Sequence, residues 1–355
     1  MSSVDPKPHV SLHDVARHLG VSHTTVSLAL HNSQSISEAT RQRVRRAAKD
    51  MGYRPDPMLS ALAHYRRSKL PPSAGTVLAW LNVWPEPKKL RSFPDFELFW
   101  QGAAEQAQRL GYRLEEFALC EIGALKRLEQ ILLARGIDGI LLPPIPLIPW
   151  EWGDFGWDHF CVVRLSRTVF EPRVHLVTTD QVANTILSFR EMQARGYERI
   201  GFFMTEHGPM PHRRHFAYGY LGAQIDLPPK QRLRIFDCPG LDAPGPFCPR
   251  PDAQRLFERW LQRERPDAIV GDWDIRPMVE RAGYRIPEDI GWAGTSVSAG
   301  ETHAGIYQNP REVGRVSVNL VTNLIRDNDR GIPAIFRQVL IEGRWVDGTT
   351  LPRRK

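Results

Sequence analysis

The 355 residues predict an all-α N-terminal head and a short hinge helix, followed by a larger α/β unit of parallel sheets covered by helices. Three observations carry this. Apolar residues between positions 11 and 51 recur at helical spacing around a small core. Nearly all the excess positive charge lies in the first fifth of the chain. Beyond residue 76, apolar strands alternate with amphipathic helices.

In LHDVARHLGVSHTTVSLAL, the residues Val15, Ala16, Leu19, Val26, Ala29 and Leu30 fall at helical spacing, and Gly20 and Val21 separate the two runs as a tight turn. That is a helix-turn-helix pattern. Ser22 is placed to cap the second helix by accepting from a free first-turn amide, which leaves His23, Thr24, Thr25, Ser27 and Leu28 on or near its front. Short or hydrogen-bonding side chains there suit a helix entering a major groove; the plainer account is a small packing module with a polar surface. A third helix, capped by Ser37, carries Arg41, Arg43, Arg45 and Arg46, with Val44, Ala47, Ala48 and Met51 as its packing side. Gly52, Tyr53 and Arg54 end it. Asp56 then caps a further short helix with Pro57 at its first position, where a missing amide costs nothing.

Residues 1–70 hold eleven Lys/Arg against five Asp/Glu, a net +6 of the +7 on the whole chain. A polyanionic partner for this end follows. An arginine run beside a recognition helix suits phosphates, giving affinity and salt dependence without sequence choice.

LHDVARHLGVSHTTVSLAL, followed by SEATRQRV, GYRPDP and MLSALA, resembles the DNA-binding head of the lactose-repressor (LacI/GalR) family over residues 10–66. The resemblance implies a homodimeric transcription regulator on a near-palindromic double-stranded operator. It implies base reading by His23 and Thr24, within a DNA-contacting set that adds Ser22, Thr25, Ser27, Leu28, His31, Asn32, Arg41 and Tyr53. It also implies a hinge leucine that wedges into the minor groove, which by position is Leu62, followed by Ala63. Where many members carry an arginine later in the recognition helix, this chain has Leu28. Leucine can touch a thymine methyl but cannot make the bidentate contact that reads guanine, so the operator preference should differ from the common family sequence.

With 42% hydrophobic and 25% charged residues, the chain is long enough for a small head and one or two larger globular units. No apolar run approaches the roughly 20 residues of a membrane helix, and the N-terminus lacks an apolar signal core. The expectation is a cytoplasmic, nucleoid-associated protein with no membrane partner. Cys238 and Cys248 flank a Pro/Gly-rich loop; without a secretory signal or nearby ligand partners, free thiols are expected over a disulfide or half a metal site.

RRSKLPPSAG, residues 66–75, reads as a linker. Beyond it, strands are expected at 76–83, 112–117, 139–142, 161–164, 200–204 and 268–270, and helices at 96–110, 125–134, 182–195, near 216–224 and at 253–262. ARGIDGILL, ARGYERIGFF and ERPDAIVGD each pass from a basic helix end through Gly or Pro into an apolar strand, as a helix-to-strand corner does. Their irregular spacing excludes a solenoid.

This unit resembles the periplasmic-binding-protein-like sensor of the same family, on GIDGILL, GYERIGFF, VTTD ending at Asp180, and IYQNPREVG, where Gln308 and Gly314 match the family's spacing. The resemblance implies a head (1–55), a hinge and linker (56–75) and an effector-binding and dimerisation domain (76–355) whose chain crosses three times between two lobes. The first lobe would take about 76–165 and 302–323, the second about 166–301 and 324–350.

Ligand clefts in open α/β sheets form at the carboxyl ends of strands. Trp80, Trp84, Phe96, Phe99 and Trp100 fall at the end of the first strand or the start of the next helix. At least two are expected to face the cleft, where aromatic rings stack on the C–H faces of a sugar. The family's effector-contacting arginine falls on Phe216, three residues before Gly219 and Tyr220, with Arg213 and Arg214 close by; a common aspartate falls on Arg164. The usual Gly-aromatic-Asp-Asp turn reads Gly294, Thr295, Ser296, Val297, while Asp272 matches the family's Asn-Asp pair in position, beside Trp273 and Asp274. These departures imply a rewired pocket with Arg164, Arg213, Arg214, Phe216, Asp272, Trp273 and Gln308 as its candidate polar and aromatic wall.

Asp272, Trp273 and Asp274 also admit a glycoside-hydrolase reading, but the chain has no GxSxG, no HExxH and no phosphate-cradling glycine loop. His207, His212 and His215 cluster without acidic or cysteine partners, which suits a loop or anion contact more than a metal. Neither a catalytic residue, a metal nor a cofactor is expected. The function read from the sequence is a DNA-binding regulator, a repressor, controlled by a small polar effector such as a sugar or sugar derivative. The alternatives are a small-molecule-binding protein whose N-terminal helices serve assembly, or a sugar-processing enzyme.

Overall fold

The computed structural model describes residues 10–30, 36–53, 76–146, 150–169, 171–205, 211–240, 249–271, 273–298 and 300–354, and for residues 211–213 the backbone alone. The head is three helices, α1 (Leu12–Leu19), α2 (His23–Leu30) and α3 (Glu38–Asp50). Val15, Ala16, Val26, Ala29, Val44 and Ala48 form its core, with Leu19, Leu30, Met51 and Tyr53 packed against them. Each helix starts where a side chain satisfies a free amide. Ser11 and Asp14 make a reciprocal capping box, Ser22 Oγ accepts from Thr25 N at 3.0 Å, and Ser37 Oγ accepts from Thr40 N at 3.3 Å. Gly20, at φ +67°, takes the left-handed turn between α1 and α2 that a Cβ would disfavour.

Two six-stranded sheets follow. The first has the order β11-β5-β4-β3-β1-β2, with β1 (Thr76–Asn82), β2 (Tyr112–Ala118), β3 (Gly139–Leu142), β4 (Cys161–Arg164), β5 (His175–Thr179) and β11 (Gln338–Ile341), every neighbour parallel. The second has the order β12-β10-β9-β8-β6-β7, with β6 (Ile200–Thr205), β7 (Phe236–Cys238), β8 (Ala268–Gly271), β9 (Gly291–Gly294) and β10 (Ala304–Tyr307) parallel and β12 (Arg344–Val346) antiparallel at the edge.

Strand alternation explains the layers. In β1, Leu78 and Trp80 point to one face and join α4 (Pro94–Arg109) and the long helix Pro310–Asp327; Ala79 and Leu81 point to the other and meet α5 (Leu125–Ala134). In the second lobe, Phe202 faces α6 (Gln181–Ala194) and α7 (Pro211–Ala223), whereas Phe203 faces α8 (Ala253–Glu264) and α9 (Arg276–Arg281). The helix Pro310–Asp327 is α10. Each sheet is covered on both faces, as expected from the alternating pattern.

The lobe boundaries differ from the expected ones. β5 belongs to the first sheet, so the first crossing follows Thr179 instead of residue 165. β10 belongs to the second sheet, and the chain returns at about 308–309; it crosses finally between β11 and β12, not near residue 324. The reason is the pairing of short strands. HLVTT completes the parallel ladder beside β4, and AGIY that beside β9, before the chain is free to cross.

Candidate functional site

On α2 the front is open. His23, Thr24 and Leu28 are exposed, Leu28 at 37%, while Thr25 and Ser27 are partly covered. Ser22 and Thr25 are tied to each other through their hydroxyls at 2.8 Å as well as through the cap. His23 stacks on His13 of α1 at 4.5 Å between ring centres, which fixes the ring at the leading end of the helix. On α3, Arg43, Arg45 and Arg46 are exposed, but Arg41 is drawn down, its guanidinium on Glu38 at 2.8 Å and only 20% exposed. Tyr53 packs partly buried against the head core. His31, Asn32, Leu62 and Ala63 lie outside the described residues.

Of the five aromatic residues, at least two of which are expected to face the cleft, two are core. Trp80 is fully buried, edge-on to Trp100 at 5.4 Å, and Phe99 is 7% exposed. The cause is geometric: Trp80 is on a strand interior, so its side chain stands perpendicular to the sheet and enters the helical layer instead of projecting past the strand end. Trp84, Phe96 and Trp100 remain partly exposed; Trp84 donates from Nε1 to the Pro144 carbonyl at 2.8 Å, and Trp100 lies under the Arg91 guanidinium. Phe216 is likewise core, packed in the cluster with Phe189, Phe202 and Tyr220.

Arg164, at the carboxyl end of β4, is 8% exposed and donates to the Val169 carbonyl. Burial first, and Arg167 nearby, bring its pKa down to about 10. Arg167 donates to Gln181 Oε1 at 3.2 Å and lines, with Asp180 and His215, a cavity of about 430 Å³ beside the first crossing. Burial and Arg167 lower the His215 pKa, so the ring favours its neutral form. Gln308 is buried and donates to the Thr295 carbonyl at 2.9 Å, holding the turn after β9 in place. Arg214 is exposed; the side chain of Arg213, and Asp272, lie outside the described residues.

Sequence reasoning did not single out the residues that join the lobes here. Ser296, in the turn after β9, donates from Oγ to Asp95 Oδ2 in the first turn of α4 at 3.0 Å. Next to it, a cavity of about 500 Å³ is bounded by Trp273, Asp274, Arg276, Trp292, Glu301 and His303. Arg276 pairs with Asp274 at 2.8 Å and lies over the Trp292 ring; His303 stacks on that ring at 4.6 Å and faces Glu301 at 3.4 Å. Burial raises the Asp95 pKa; the Ser296 hydrogen bond opposes this, and Glu301 adds to it. Burial lowers the His303 pKa, against the pull of Glu301. Trp273, one of the candidate effector-site residues, lines this cavity, its ring alongside Phe203 at 6.3 Å.

Among the described residues there is no grouping of three or more His, Cys, Asp or Glu able to hold a metal, and no helix long and apolar enough to cross a membrane. Cys120 and Cys161 are free thiols, with Cys161 pushed up to about 12 by burial. Cys248 lies outside the described residues.

Residues 11–56 match the family described as "Bacterial regulatory proteins, lacI family". Over almost its whole length the chain is similar to the HTH-type transcriptional repressor PurR of Aliivibrio fischeri, at 23% identity over 90% of this chain and 93% of the relative. Among solved structures, it is similar to a transcriptional regulator CelR–cellobiose complex (TM-score 0.54, 18% identity, 96% of this chain and 100% of the other). It is also similar to the lac repressor dimer bound to operator and the anti-inducer ONPF (TM-score 0.54, 17% identity, 97% and 99%). At these identities the solved structures speak for the fold: a helical head followed by two α/β lobes.

Proposed function

We propose that the chain is a member of the lacI family of bacterial regulatory proteins and, on that premise, a repressor that binds a near-palindromic operator as a homodimer under control of a small polar effector. The observation that carries the DNA-binding part is the head. A capped α2 presents His23, Thr24 and Leu28 outward from a packed three-helix core, with exposed arginines of α3 on the same small unit. Residues 1–55 would form this head, 56–75 the hinge and linker with Leu62 as the minor-groove wedge, and 76–355 the effector-binding and dimerisation domain. Within that domain the effector would bind between the lobes and act through its differential affinity for two lobe arrangements, which sets the size of the response.

A saccharide effector is supported by the aromatic and carboxylate residues around the cavity beside the Asp95–Ser296 bond, and by a structural neighbour solved as a cellobiose complex. Selecting duplexes from a randomised library with the full chain tests the regulator reading. A recovered consensus with dyad symmetry supports it, and recovery of unrelated sequences at moderate salt ends it.

A further inference from the structure

We propose that His13, on the first helix of the head, is a specificity-determining residue: it holds the His23 ring in one plane, so that the two histidines read a base pair as a unit. This rests on the reading of α2 as the helix that enters the major groove.

The argument starts from where the two rings stand. His13 is the second residue of α1 and His23 the first of α2, each in a first turn fixed by a serine cap. Val15 from α1 and Val26 and Ala29 from α2 share one core, and their packing brings these two turns together although ten positions of chain separate the histidines. The ring centres are 4.5 Å apart with 28° between the planes, a face-to-face contact. Such a contact uses the π surface and leaves Nδ1 and Nε2, on the ring edge, outside the stack. Both residues are exposed, so the pair stands at the surface of the head beside Thr24.

A base edge is read by hydrogen bonds to atoms at fixed positions in the groove, so the plane of the reading ring decides which of them it reaches. An exposed histidine at a helix start turns about two side-chain torsions, and immobilising it on DNA costs binding free energy. The stack on His13 removes that cost in advance and selects one plane. It does so without a share in the fold: the head is packed around Val15, Ala16, Val26, Ala29, Val44 and Ala48, and neither histidine belongs to that core. A contact that adds nothing to the core yet fixes a base-reading ring acts on sequence choice, not on stability.

The test is competition binding of the full chain to its selected duplex and the set of single-base variants of that duplex. His23→Ala identifies the base pair whose preference depends on His23. His13→Ala should weaken the preference at that same base pair by about threefold to tenfold, the cost of leaving one side chain to be immobilised on binding. Amide exchange in α2 and affinity for a scrambled duplex should stay unchanged. Added to His23→Ala, the His13→Ala substitution should change nothing further at that base pair, and His13→Phe, which keeps a flat ring, should retain the preference. The inference is overturned if His13→Ala has no effect, acts at a different base pair, weakens every duplex equally, or costs as much without His23 as with it. It is also overturned if His13→Phe loses the preference or if His23→Ala keeps every preference. Binding of the unsubstituted chain to selected against scrambled duplex judges the regulator reading separately; if the two bind equally, both fall.

Discussion

Leu28 stands 37% exposed on α2 with its neighbours Val26 and Ala29 holding the helix to the core, so its side chain lies outside the packed core of the head. Leu28→Ala should therefore change the unfolding free energy by less than about 0.5 kcal/mol. It should also relax base preference at one operator position, where a mismatch otherwise costs about 1–3 kcal/mol. Urea melts and competition binding with single-base operator variants read the two effects separately. Gly314 is the opposite kind of residue. A Cβ there would overlap the Phe99 carbonyl oxygen, as one at Gly102 would overlap that of Arg311, so these two glycines let α4 and α10 pack backbone to backbone. Gly314→Ala should cost about 2 kcal/mol through overpacking, seen as a lower urea midpoint at unchanged slope. The spacing of Gly314 was legible in the sequence; its reason was not, because helix Pro310–Asp327 meets α4 across more than two hundred residues. Trp80 shows the same limit. Its position near a strand end could be read, but whether it faced the cleft or the helices depended on which side of the sheet the pleat turned it to.

At the scale of elements, the caps were readable because a cap is local. Ser22→Ala removes the acceptor for Thr25 N and should cost the head about 1 kcal/mol, visible as faster amide exchange in α2 and weaker DNA binding. The strands of the second half of the domain were harder. β5, β9, β10 and β11 are four or five residues long and, unlike the equally short β3 and β8, follow none of the three helix-to-strand corners legible in the sequence; they exist because a neighbour's ladder accepts them. β5 also supplies a pH dependence. His175, 3% exposed, accepts at Nδ1 from Arg337 N–H at 2.9 Å, which ties β5 to the approach of β11. Burial first, then Arg337, lower its pKa from 6.5, against the weaker pull of Asp329. The unfolded chain then binds a proton more readily than the fold, so the stabilisation is complete above the ordinary histidine value and is lost as pH falls below it. His215 and His303 shift the same way. Thermal melts from pH 7.5 downward should show the midpoint falling from about pH 6.5, where unperturbed histidine begins to charge. In His175→Gln that fall should be shallower.

The whole molecule combines a head whose design is local with a two-lobed domain whose site is not. Everything needed to recognise the head lies within some forty consecutive residues; the bond joining the lobes, Ser296 to Asp95, spans 201 positions and leaves no trace in composition or spacing. The class of function was therefore legible while the walls of the cavity at the lobe junction were only partly so: Trp273 lines it, Phe216 and Phe99 are core, Gln308 is buried beneath the turn after β9, and Glu301, His303 and Arg276 went unnoticed among ordinary surface charges. Sequence-specific reading of DNA by the head is what the proposed function depends on. Fluorescence anisotropy of the full chain on its selected duplex, against a scrambled duplex of equal length at about 0.15 M salt, tests this most directly. The selected duplex should be preferred by about a thousandfold or more, with both affinities falling as salt rises. Equal affinity for the two duplexes across the salt range would contradict it.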